Sequence, residues 1–467
     1  MAEKKQQAPQ VADEQENREK KFVVIGAGCA GLSAAYTLQK MGVDFEVYER
    51  MSRFGGRCTT YRFDPEHPEY YVTEGPLWTE PCEEETIGLI HELHLDDINF
   101  PFKNLMMGVY LDGELHYMGT GGNPITTLKT LSHFPKSIVP QILKFGKNIV
   151  SAKRKTTRKD GTTDWKKIVQ EYGSMTGREW SLQAGGDQIY DKITAPMARG
   201  IVSANIDDMS AIQPIAIMTR INGVAQLKGG HNTINTELYN RVKKHVHLGC
   251  GVDEILIEDG AVKGVRLENG DVVACDVVIN CAAAPAAAKM MPAAPDYVRK
   301  TLSKVTYSKL FLYAFKFDRR HTPKDVSLIL IPPSAGSKLG LIMEENTQDL
   351  LAAPGSSIVR VFTSMDYDEY WHSMSEEERR FALREEAAKI CPWFADEGEV
   401  IHVADFPIAL NIQPVGQFEA IYDMEPKLKR DVKGLYLAGE YRSVHCSTEG
   451  AYRSGRREAE DAVAEMA

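Results

Sequence analysis

Three glycines near the start of the sequence, Gly26, Gly28 and Gly31, have the G-x-G-x-x-G spacing of a turn that binds the pyrophosphate of a dinucleotide. The first glycine permits a tight turn, the second lets the backbone approach a phosphate, and the third lets a helix pack closely against a strand. Glu49, eighteen positions after Gly31, falls where an acidic side chain accepts a hydrogen bond from a ribose hydroxyl. These four residues predict a dinucleotide site.

The segments around these residues follow the order strand, glycine turn, helix, strand. KFVVI (21–25) is a short apolar run that is typical of a buried parallel strand. LSAAYTLQKMG has helical periodicity, and the strand-like DFEVYE ends at Glu49. The N-terminus of the helix would present free N–H groups and partial positive charge to the phosphates. This order predicts an α/β fold with a Rossmann-like dinucleotide-binding domain, and a glycine-rich loop without a ligand is the alternative.

A second glycine-rich stretch, RFGGR (53–57), follows the acidic residue and favours FAD over NAD. Gly55 and Gly56 permit close backbone approach, and Arg57 offers a forked cation to a phosphate or to the edge of a flavin. The alternative is a flexible surface loop with a solvated arginine.

The far end of the sequence supplies another strand and helix. GLYLAGEY (434–441) predicts a buried strand that ends at Gly439 and Glu440, and a final helix begins near Glu449. A helix N-terminus directed at the flavin ring would stabilise the negative charge of the reduced flavin. The alternative is an ordinary strand–helix unit that completes the sheet.

These motifs together resemble the flavin-containing amine oxidase superfamily, which includes monoamine oxidases, polyamine oxidases, protoporphyrinogen oxidase and carotenoid desaturases. The resemblance rests on IGAGCAGLSAAYTL, FEVYER and RFGGR near the start, and on GLYLAGEY and STEGAYRSGRREAE near the end. It implies FAD as the cofactor and removal of a hydride from a substrate carbon. The residues that it assigns to FAD are Gly26, Gly28, Ala30, Gly31, Glu49, Arg50, Gly56, Arg57, Leu77, Trp78, Val252, Gly439, Glu440, Thr448 and Glu449.

The resemblance also implies two domains, each assembled from separate stretches of chain. The FAD-binding domain is Rossmann-like and discontinuous, and the substrate domain is α+β with a mixed sheet. SKLFLYAFKF and SSIVRVFTS predict sheet strands, and SEEERRFALREEAAKICPWF begins with an N-cap serine and predicts a helix. We expect a disordered leader at 1–20, the FAD-binding domain at 20–105, 224–290 and 400–467, and the substrate domain at 106–223 and 291–399.

The resemblance points to two candidates for a catalytic role. Trp78 occupies the place where the family brings a residue beside the flavin ring, and a core tryptophan without cofactor contact is the alternative. Lys289 falls where many amine oxidases carry a lysine that binds a water at flavin N5, and an exposed lysine on an alanine-rich turn is the alternative. The stretch 404–411, where some amine oxidases carry the cysteine of a covalent flavin, contains none, so we expect FAD to be bound without a covalent link. Cys446 is the remaining candidate for such a bond, with a buried free thiol as the alternative.

The nature of the substrate is indicated by one segment. DFPIALNIQPVGQFEAI (405–421) resembles the stretch before the last strand in protoporphyrinogen oxidases and desaturases, which favours C–C or ring C–N dehydrogenation of a mostly apolar small molecule. Monoamine oxidases place an aromatic side chain before the EGA motif, and 446–450 contains none. A flavin amine oxidase that produces imine or aldehyde and peroxide is the second hypothesis. A non-redox flavin isomerase or a flavin-bound scaffold is the third.

Composition argues against several other classes of protein. The 467 residues carry a net charge of −10 and the pI is near 5.7, which gives no indication of nucleic-acid binding. Eight cysteines are dispersed without a CxxC pair, so neither a disulfide framework nor a metal site is predicted. The N-terminus lacks the apolar core of a signal peptide, and we expect a cytoplasmic protein. The sequence does not indicate an oligomeric state.

One stretch of the sequence is strongly basic, although the chain as a whole carries a net negative charge. Residues 129–167 hold eleven Lys and Arg against two Asp. Within it, 136–159 mixes apolar residues with lysines, which favours peripheral contact with an anionic membrane surface. The alternative is a helix that packs its apolar face onto the substrate domain and leaves its lysines in water.

Overall fold

The computed structural model describes residues 20–111, 113–119, 135–159, 162–220, 223–395, 397–444 and 447–466. The predicted leader up to residue 19, and Cys446, lie outside the described residues. The strands are β1 (Phe22–Ile25), β2 (Phe45–Glu49), β3 (Thr60–Arg62), β4 (Tyr71–Thr73), β5 (Trp78–Thr79), β6 (Asn99–Pro101), β7 (Met106–Leu111), β8 (Glu114–Gly119), β9 (Ala225–Leu227), β10 (Val246–Leu248), β11 (Val252–Glu258), β12 (Ala261–Leu267), β13 (Val272–Ala274), β14 (Val277–Asn280), β15 (Leu310–Phe317), β16 (Val326–Leu330), β17 (Leu339–Glu344), β18 (Ser357–Thr363), β19 (Glu399–Phe406) and β20 (Leu435–Leu437).

The α-helices longer than three residues are α1 (Cys29–Lys40), α2 (Glu84–Glu92), α3 (Val139–Lys155), α4 (Trp165–Tyr172), α5 (Gly177–Ala184), α6 (Ile212–Arg220), α7 (Asn232–Val242), α8 (Ala284–Lys289), α9 (Asp296–Ser303), α10 (Asp368–His372), α11 (Glu376–Ile390), α12 (Gln417–Asp431) and α13 (Thr448–Met466). An irregular helical stretch at 187–202 mixes α and π turns between α5 and α6.

A five-stranded parallel sheet has the order β10-β2-β1-β14-β20. β1, β14 and β20 are buried along their whole length, as their runs of Val, Ile and Leu predict. Because the strands are parallel, their carboxyl ends share one edge, where Ile25 precedes the first glycine turn and Glu49 ends β2. The predicted α/β fold is confirmed, and so are the two strands expected around the glycine turn.

Both faces of this parallel sheet are covered, as buried parallel strands require. On one face, α1, α7 and α13 pack together around Leu32, Leu238 and Ala459. On the other face, the antiparallel sheet β11-β12-β13 packs with α8, α9 and α12 around Ile255 and Leu428. The first and last helices of the described chain therefore share one layer.

A seven-stranded mixed sheet has the order β19-β15-β18-β17-β16-β7-β8. β16 and β7 pair in parallel, and its other described pairings are antiparallel. Side chains alternate along β15, so that Leu310 and Leu312 face a core shared with the helices of 139–220. Phe311 and Tyr313 face α10 and α11 on the opposite side.

The boundary expected at residue 400 is wrong. β19 pairs with β15 from Glu399 to Phe406 and therefore belongs to the seven-stranded sheet. The outer edge of β15 carries unpaired N–H and C=O groups unless a further strand covers it, and β19 supplies that strand. The seven-stranded sheet therefore extends to Phe406, beyond the boundary expected at residue 400.

Candidate cofactor site

The first glycine turn joins β1 to α1 at the carboxyl edge of the parallel sheet. Gly26 has φ +96°, a conformation that favours glycine. A Cβ on Gly31 would lie 1.7 Å from the Gly26 carbonyl oxygen, so that only glycine fits there. Gly28 caps α1 without a side-chain hydrogen bond, which leaves the first N–H groups of the helix without a side-chain acceptor. These groups suit a pyrophosphate.

The second glycine turn packs directly against the first. The N–H of Gly55 donates to the carbonyl of Ala27 at 2.8 Å, and Gly28 and Gly55 form an isolated parallel bridge. A Cβ on Gly56 would come within 3.3 Å of the Gly28 Cα atom. The two turns together form a cradle without side chains at the N-terminus of α1.

Glu49 lies at the same edge, where β2 ends. Its carboxylate accepts hydrogen bonds from the backbone N–H groups of Ala27 at 2.7 Å and Met51 at 2.8 Å, and its remaining lone pairs suit a ribose hydroxyl. The N–H of Cys250 donates to the Glu49 carbonyl at 2.8 Å. This bond brings Val252, the first residue of β11, to the edge that Glu49 occupies.

The two ends of the chain meet at Arg57. Its guanidinium donates to Glu440 Oε2 at 2.7 Å and to the carbonyl of Ala409 at 2.8 Å. The N–H of Gly439, a residue with φ +143°, donates to the hydroxyl of Ser454 in α13 at 2.9 Å. RFGGR and GLYLAGEY are therefore joined by a direct ion pair across 383 positions of sequence. The guanidinium that was expected to face a phosphate or a flavin edge is bound to a protein carboxylate in this structure.

Trp78 and the buried Leu77 follow shortly after Gly75, which packs against the second glycine turn at Arg57. Trp78 pairs with Gln226 in the small sheet β5-β9-β6. The indole Nε1 of Trp78 is buried and has no hydrogen-bond partner among the described residues. The backbone at Gly75 packs so closely against the second glycine turn that a Cβ there would lie 2.6 Å from the Arg57 carbonyl oxygen.

His231 is a residue of this region that the sequence reasoning missed. Its buried ring lies 3.1 Å from the Thr79 hydroxyl through Nε2 and 3.5 Å from the Thr448 hydroxyl through Nδ1. Burial lowers the pKa of His231 to about 4, so the ring is neutral near pH 7. The ring thus links the strand of Trp78 to the N-terminus of α13. The sequence did contain a signal for this residue. The histidine directly follows the Gly229–Gly230 pair and stands at the start of a helix.

Glu449 directs its carboxylate at a neighbouring helix. The carboxylate accepts hydrogen bonds from the N–H of Thr86 at 2.8 Å and from its hydroxyl at 3.0 Å. It also forms an ion pair with Arg453. Glu449 therefore caps the N-terminus of α2, and its backbone at the start of α13 is the part that remains for a cofactor.

Two of the predicted site residues lie on the surface. Arg50 is exposed and forms an ion pair with Glu268 at 2.7 Å. Lys289 is exposed at the end of α8, where it borders an open pocket of about 420 Å³ together with Arg299 and Ser303. Among the described contacts, none joins Lys289 to Trp78 or to the glycine turns. The structure therefore does not bring Lys289 to the cofactor edge, because the short helix directs its last side chain into water.

A comparison with known families agrees with this geometry. The sequence profile of the family described as flavin containing amine oxidoreductase matches residues 29–463. The chain belongs to this family. The match begins at the first residue of α1 and includes Gly31, the second glycine turn, the seven-stranded sheet and most of α13. It confirms the family that the sequence motifs resemble.

Curated relatives match over part of their length. L-amino-acid oxidase of Demansia vestigiata is 26% identical over 328 residues, which are 65% of this chain and 59% of that protein. L-amino acid oxidase of Cerastes cerastes is 25% identical over 325 residues, with the same two shares. The matched region therefore spans less than two thirds of these relatives.

Solved structures share the fold at low sequence identity. A protein of Exiguobacterium sp. 255-15, proposed to be a protoporphyrinogen oxidase, has a TM-score of 0.74 and 18% identity over 96% of this chain and 99% of that chain. An engineered putrescine oxidase has a TM-score of 0.73 and 15% identity, with 95% and 99% covered. Cyclohexylamine oxidase from Brevibacterium oxydans IH-35A has a TM-score of 0.72 and 16% identity, with 96% and 99% covered.

The residues at the carboxyl edge fit FAD. The side-chain-free cradle lies at a helix N-terminus without a side-chain cap, which suits a pyrophosphate. The buried indole N–H of Trp78 lacks a partner among the described residues, as expected of a donor beside a polar ligand. As a member of this family, the protein has FAD as its cofactor, held without a covalent link as is typical of the family.

Proposed function

We propose that this protein is an FAD-dependent oxidoreductase that removes a hydride from a mostly apolar substrate by C–C or ring C–N dehydrogenation. When bound, FAD supplies the acceptor for that hydride. The chain itself contributes orientation and exclusion of water around the reacting carbon. The observation that carries the proposal is the apolar face that the substrate sheet presents to Leu77 and Trp78.

In this proposal, each part of FAD lies against a separate element. The two glycine turns bind the pyrophosphate at the N-terminus of α1. Glu49 accepts a hydrogen bond from the ribose, and the backbone of Val252 contacts the adenine. Trp78 lies beside the flavin ring, and the N-terminus of α13, at Thr448, faces the part of the ring that gains negative charge on reduction. His231 keeps these last two elements together through its two ring nitrogens.

The substrate surface is a continuous apolar cluster. Leu77 and Trp78 share that cluster with side chains from both the centre and the edge of the seven-stranded sheet. The members from the sheet include Met107, Val109, Leu312, Leu341, Met343, Phe362, Ala404 and Phe406. Apolar and thioether side chains bind ring and polyene substrates by area and shape, with adaptable methionines filling irregular gaps.

Charged side chains at the border of this cluster already have protein partners. Glu74 lies 2.7 Å from His402 through its Oε1, and this hydrogen bond lowers the pKa of Glu74. Arg360 forms a buried ion pair with Glu345. A cationic amine would have to compete with these partners for a carboxylate, and an apolar substrate would not.

Anaerobic reduction of the purified holoenzyme tests the proposal. Candidate substrates are mixed with the protein without oxygen, and the loss of the main visible band of oxidised flavin is followed. We expect bleaching with apolar ring compounds or polyenes and none with primary amines. Bleaching by amines alone, with release of aldehyde and peroxide in air, would instead establish an amine oxidase, which is the activity in the names of two of the similar solved structures. Turnover of a substrate without bleaching at any time would indicate non-redox use of the flavin.

Peripheral contact with an anionic membrane is the second part of the proposal. α3 packs Phe145 and Ala152 inward and exposes Leu143 and Val150, which are 59% and 60% accessible and lie one heptad apart. The helix contains no acidic residue. Apolar side chains among cations suit the interface of an anionic bilayer. The exposed cations of the helix are Lys144, Lys147, Lys153, Arg154 and Lys155. Among the described helices, none has both the length and the apolar content needed to cross a membrane.

A further inference from the structure

A fully buried ion pair lies in the substrate sheet. Arg360, in β18, and Glu345, directly after β17, have side-chain accessibilities of 2% and 0%. Removal of both charges from water is unfavourable, and such a pair contributes little net stability compared with apolar side chains of similar volume. Burial accordingly raises the pKa of Glu345 and lowers the pKa of Arg360. The hydrogen bonds of the pair indicate what it does there.

Both members of the pair bind one short segment of the cofactor domain. Arg360 donates through Nη1 to the carbonyl of Thr73 at 3.1 Å and to the carbonyl of Gly75 at 2.9 Å. Glu345 accepts a hydrogen bond from the Thr73 hydroxyl at 2.8 Å and from the Thr73 N–H at 3.4 Å. Four polar groups of 73–75 are therefore satisfied by two side chains that lie more than 270 positions away.

The same segment is fixed from the opposite side by the second glycine turn. Gly75 packs so closely that an added Cβ would lie 2.6 Å from the Arg57 carbonyl oxygen. Glu74, between the two residues that Arg360 binds, is held by His402 at 2.7 Å. Leu77 follows two positions after Gly75, so its placement depends on how 73–75 is held.

Glu345 also reaches Trp78 by a second route. The side-chain Nε2 of Gln226 donates to the backbone carbonyl of Glu345 at 3.2 Å. Gln226 is the cross-strand partner of Trp78 in β5 and β9. The end of β17 is therefore connected both to the segment before Trp78 and to the strand beside it.

We infer that Arg360 and Glu345 are positioning residues that set the segment 73–78 against the flavin ring from within the substrate domain. The inference rests on the proposed placement of the ring beside Trp78. Neither side chain touches the ring in this arrangement. Through the pair, the sheet that forms the substrate surface also determines the surroundings of the flavin.

Two variants of the pair, studied as holoenzymes, test this inference. Arg360→Lys keeps the charge, but one ammonium lacks the planar fork that donates to both carbonyls. Glu345→Gln keeps the shape and removes the charge, so it remains informative if the lysine variant does not fold. We expect altered visible circular dichroism of the bound flavin, and FAD release at least about tenfold faster, because each variant leaves buried backbone groups unsatisfied.

Arg384→Lys is the matched control. Arg384 also donates to backbone carbonyls in the substrate domain, those of Phe394, Glu397 and Gly398. We expect this variant to lower the melting temperature and to leave both the flavin dichroism and the FAD release rate at parental values. An equal change in all three variants would overturn the inference, because it would reflect a general loss of stability.

Trp78→Phe separates a failure of this inference from a failure of the cofactor placement. If this variant changes the flavin dichroism and both variants of the pair leave it unaltered, the positioning role is wrong and the placement of the ring stands. If Trp78→Phe and both pair variants all leave the dichroism and FAD release unaltered, the placement beside Trp78 is wrong, and the inference falls with it.

Discussion

His231 joins the two segments that flank the proposed flavin ring, and it does so as a neutral imidazole. One ring nitrogen faces the Thr79 hydroxyl and the other faces the Thr448 hydroxyl. A neutral ring offers one donor and one acceptor, and a hydroxyl can match either. Protonation would place a charge in a site without a described counter-ion contact to the ring, which is why burial lowers its pKa.

This neutral state predicts a specific dependence of stability on pH. The pKa of His231 is about 4 in the folded protein and near 6.5 when exposed. The unfolded chain therefore binds the proton first, and the folded state loses stability as pH falls from about 6.5 to about 4, by roughly 3 kcal/mol in total. His231→Gln should lack this part of the loss. Urea unfolding of both proteins across that range measures the difference, and parallel curves would contradict the prediction.

For Lys289 we predict that substitution has no effect on the cofactor. Its side chain is exposed at the end of α8 and has no described contact with the cofactor edge. Lys289→Met should therefore leave FAD binding and the rate of flavin reoxidation by oxygen at their parental values. Stopped-flow mixing of the reduced enzyme with oxygen provides the measurement. A severalfold slower reoxidation would return Lys289 to the site, as the sequence resemblance first suggested.

At the scale of elements, the packing of α13 on α1 controls the first glycine turn. A Cβ on Gly455 would lie 2.0 Å from the carbonyl oxygen of Ala30, in the first turn of α1. The hydroxyl of Ser33 donates to the carbonyl of Tyr452 at 2.8 Å, so the two helices are also hydrogen-bonded to each other. Any change that separates these helices shifts the backbone that faces the pyrophosphate.

Gly455→Ala should therefore weaken FAD binding as well as the fold. The added methyl meets backbone atoms that cannot rotate away, and overpacking of this kind typically costs about 1–3 kcal/mol. Gly88→Ala is the matched control, since Gly88 also lies in a helix and has open space around it. That control should be neutral or stabilising by about 0.5–1 kcal/mol. FAD affinity and thermal melting of both variants report the result, and equal behaviour would contradict the prediction.

The basic helix α3 makes a prediction about membranes. Lys144 and Lys147 are exposed beside Leu143, and each lysine near an anionic surface contributes about 1 kcal/mol. The double charge reversal Lys144→Glu and Lys147→Glu should weaken the affinity for anionic liposomes at low salt by roughly thirtyfold or more. Co-sedimentation with the liposomes measures this affinity.

The matched control for α3 is a double reversal at Lys243 and Lys244, which are exposed on the turn after α7. This control should sediment like the parent protein. Failure of the parent to bind anionic liposomes would remove the membrane contact from the proposal.

At the scale of the whole molecule, local sequence predicted local structure well. The first strand, glycine turn and second strand were readable from residues 21–49, because the apolar runs and the glycine spacing that specify them lie within that short stretch. Ser375 was expected as a helix N-cap, and its hydroxyl accepts from the N–H of Glu378 at 3.3 Å. The expected strands SKLFLYAFKF and SSIVRVFTS appear as β15 and β18.

Contacts between distant segments were less predictable. Arg360 and Glu345 stand in a strand and a turn whose local sequence shows no feature of a cofactor site, and their partner Thr73 is 272 or more positions away. The direction of the Glu449 carboxylate depends on where α2 lies. Such contacts follow from tertiary packing, which no short pattern of residues encodes. The family resemblance predicted which segments meet, and the structure supplies the hydrogen bonds that join them.

The order of strands in the parallel sheet also bears on how the protein is made. β1 and β2 leave the ribosome early, but β20 and α13, which complete their layer, come about 400 residues later, or roughly 20–80 s at 5–20 residues per second. During that time the side of α1 that packs against α13 has no permanent cover, so the nascent chain should depend on chaperones. We therefore expect the cofactor to be inserted late, after α13 has been synthesised and has packed on α1. Cells short of FAD would accumulate complete chains whose first and last helices separate readily, which are natural targets for proteases.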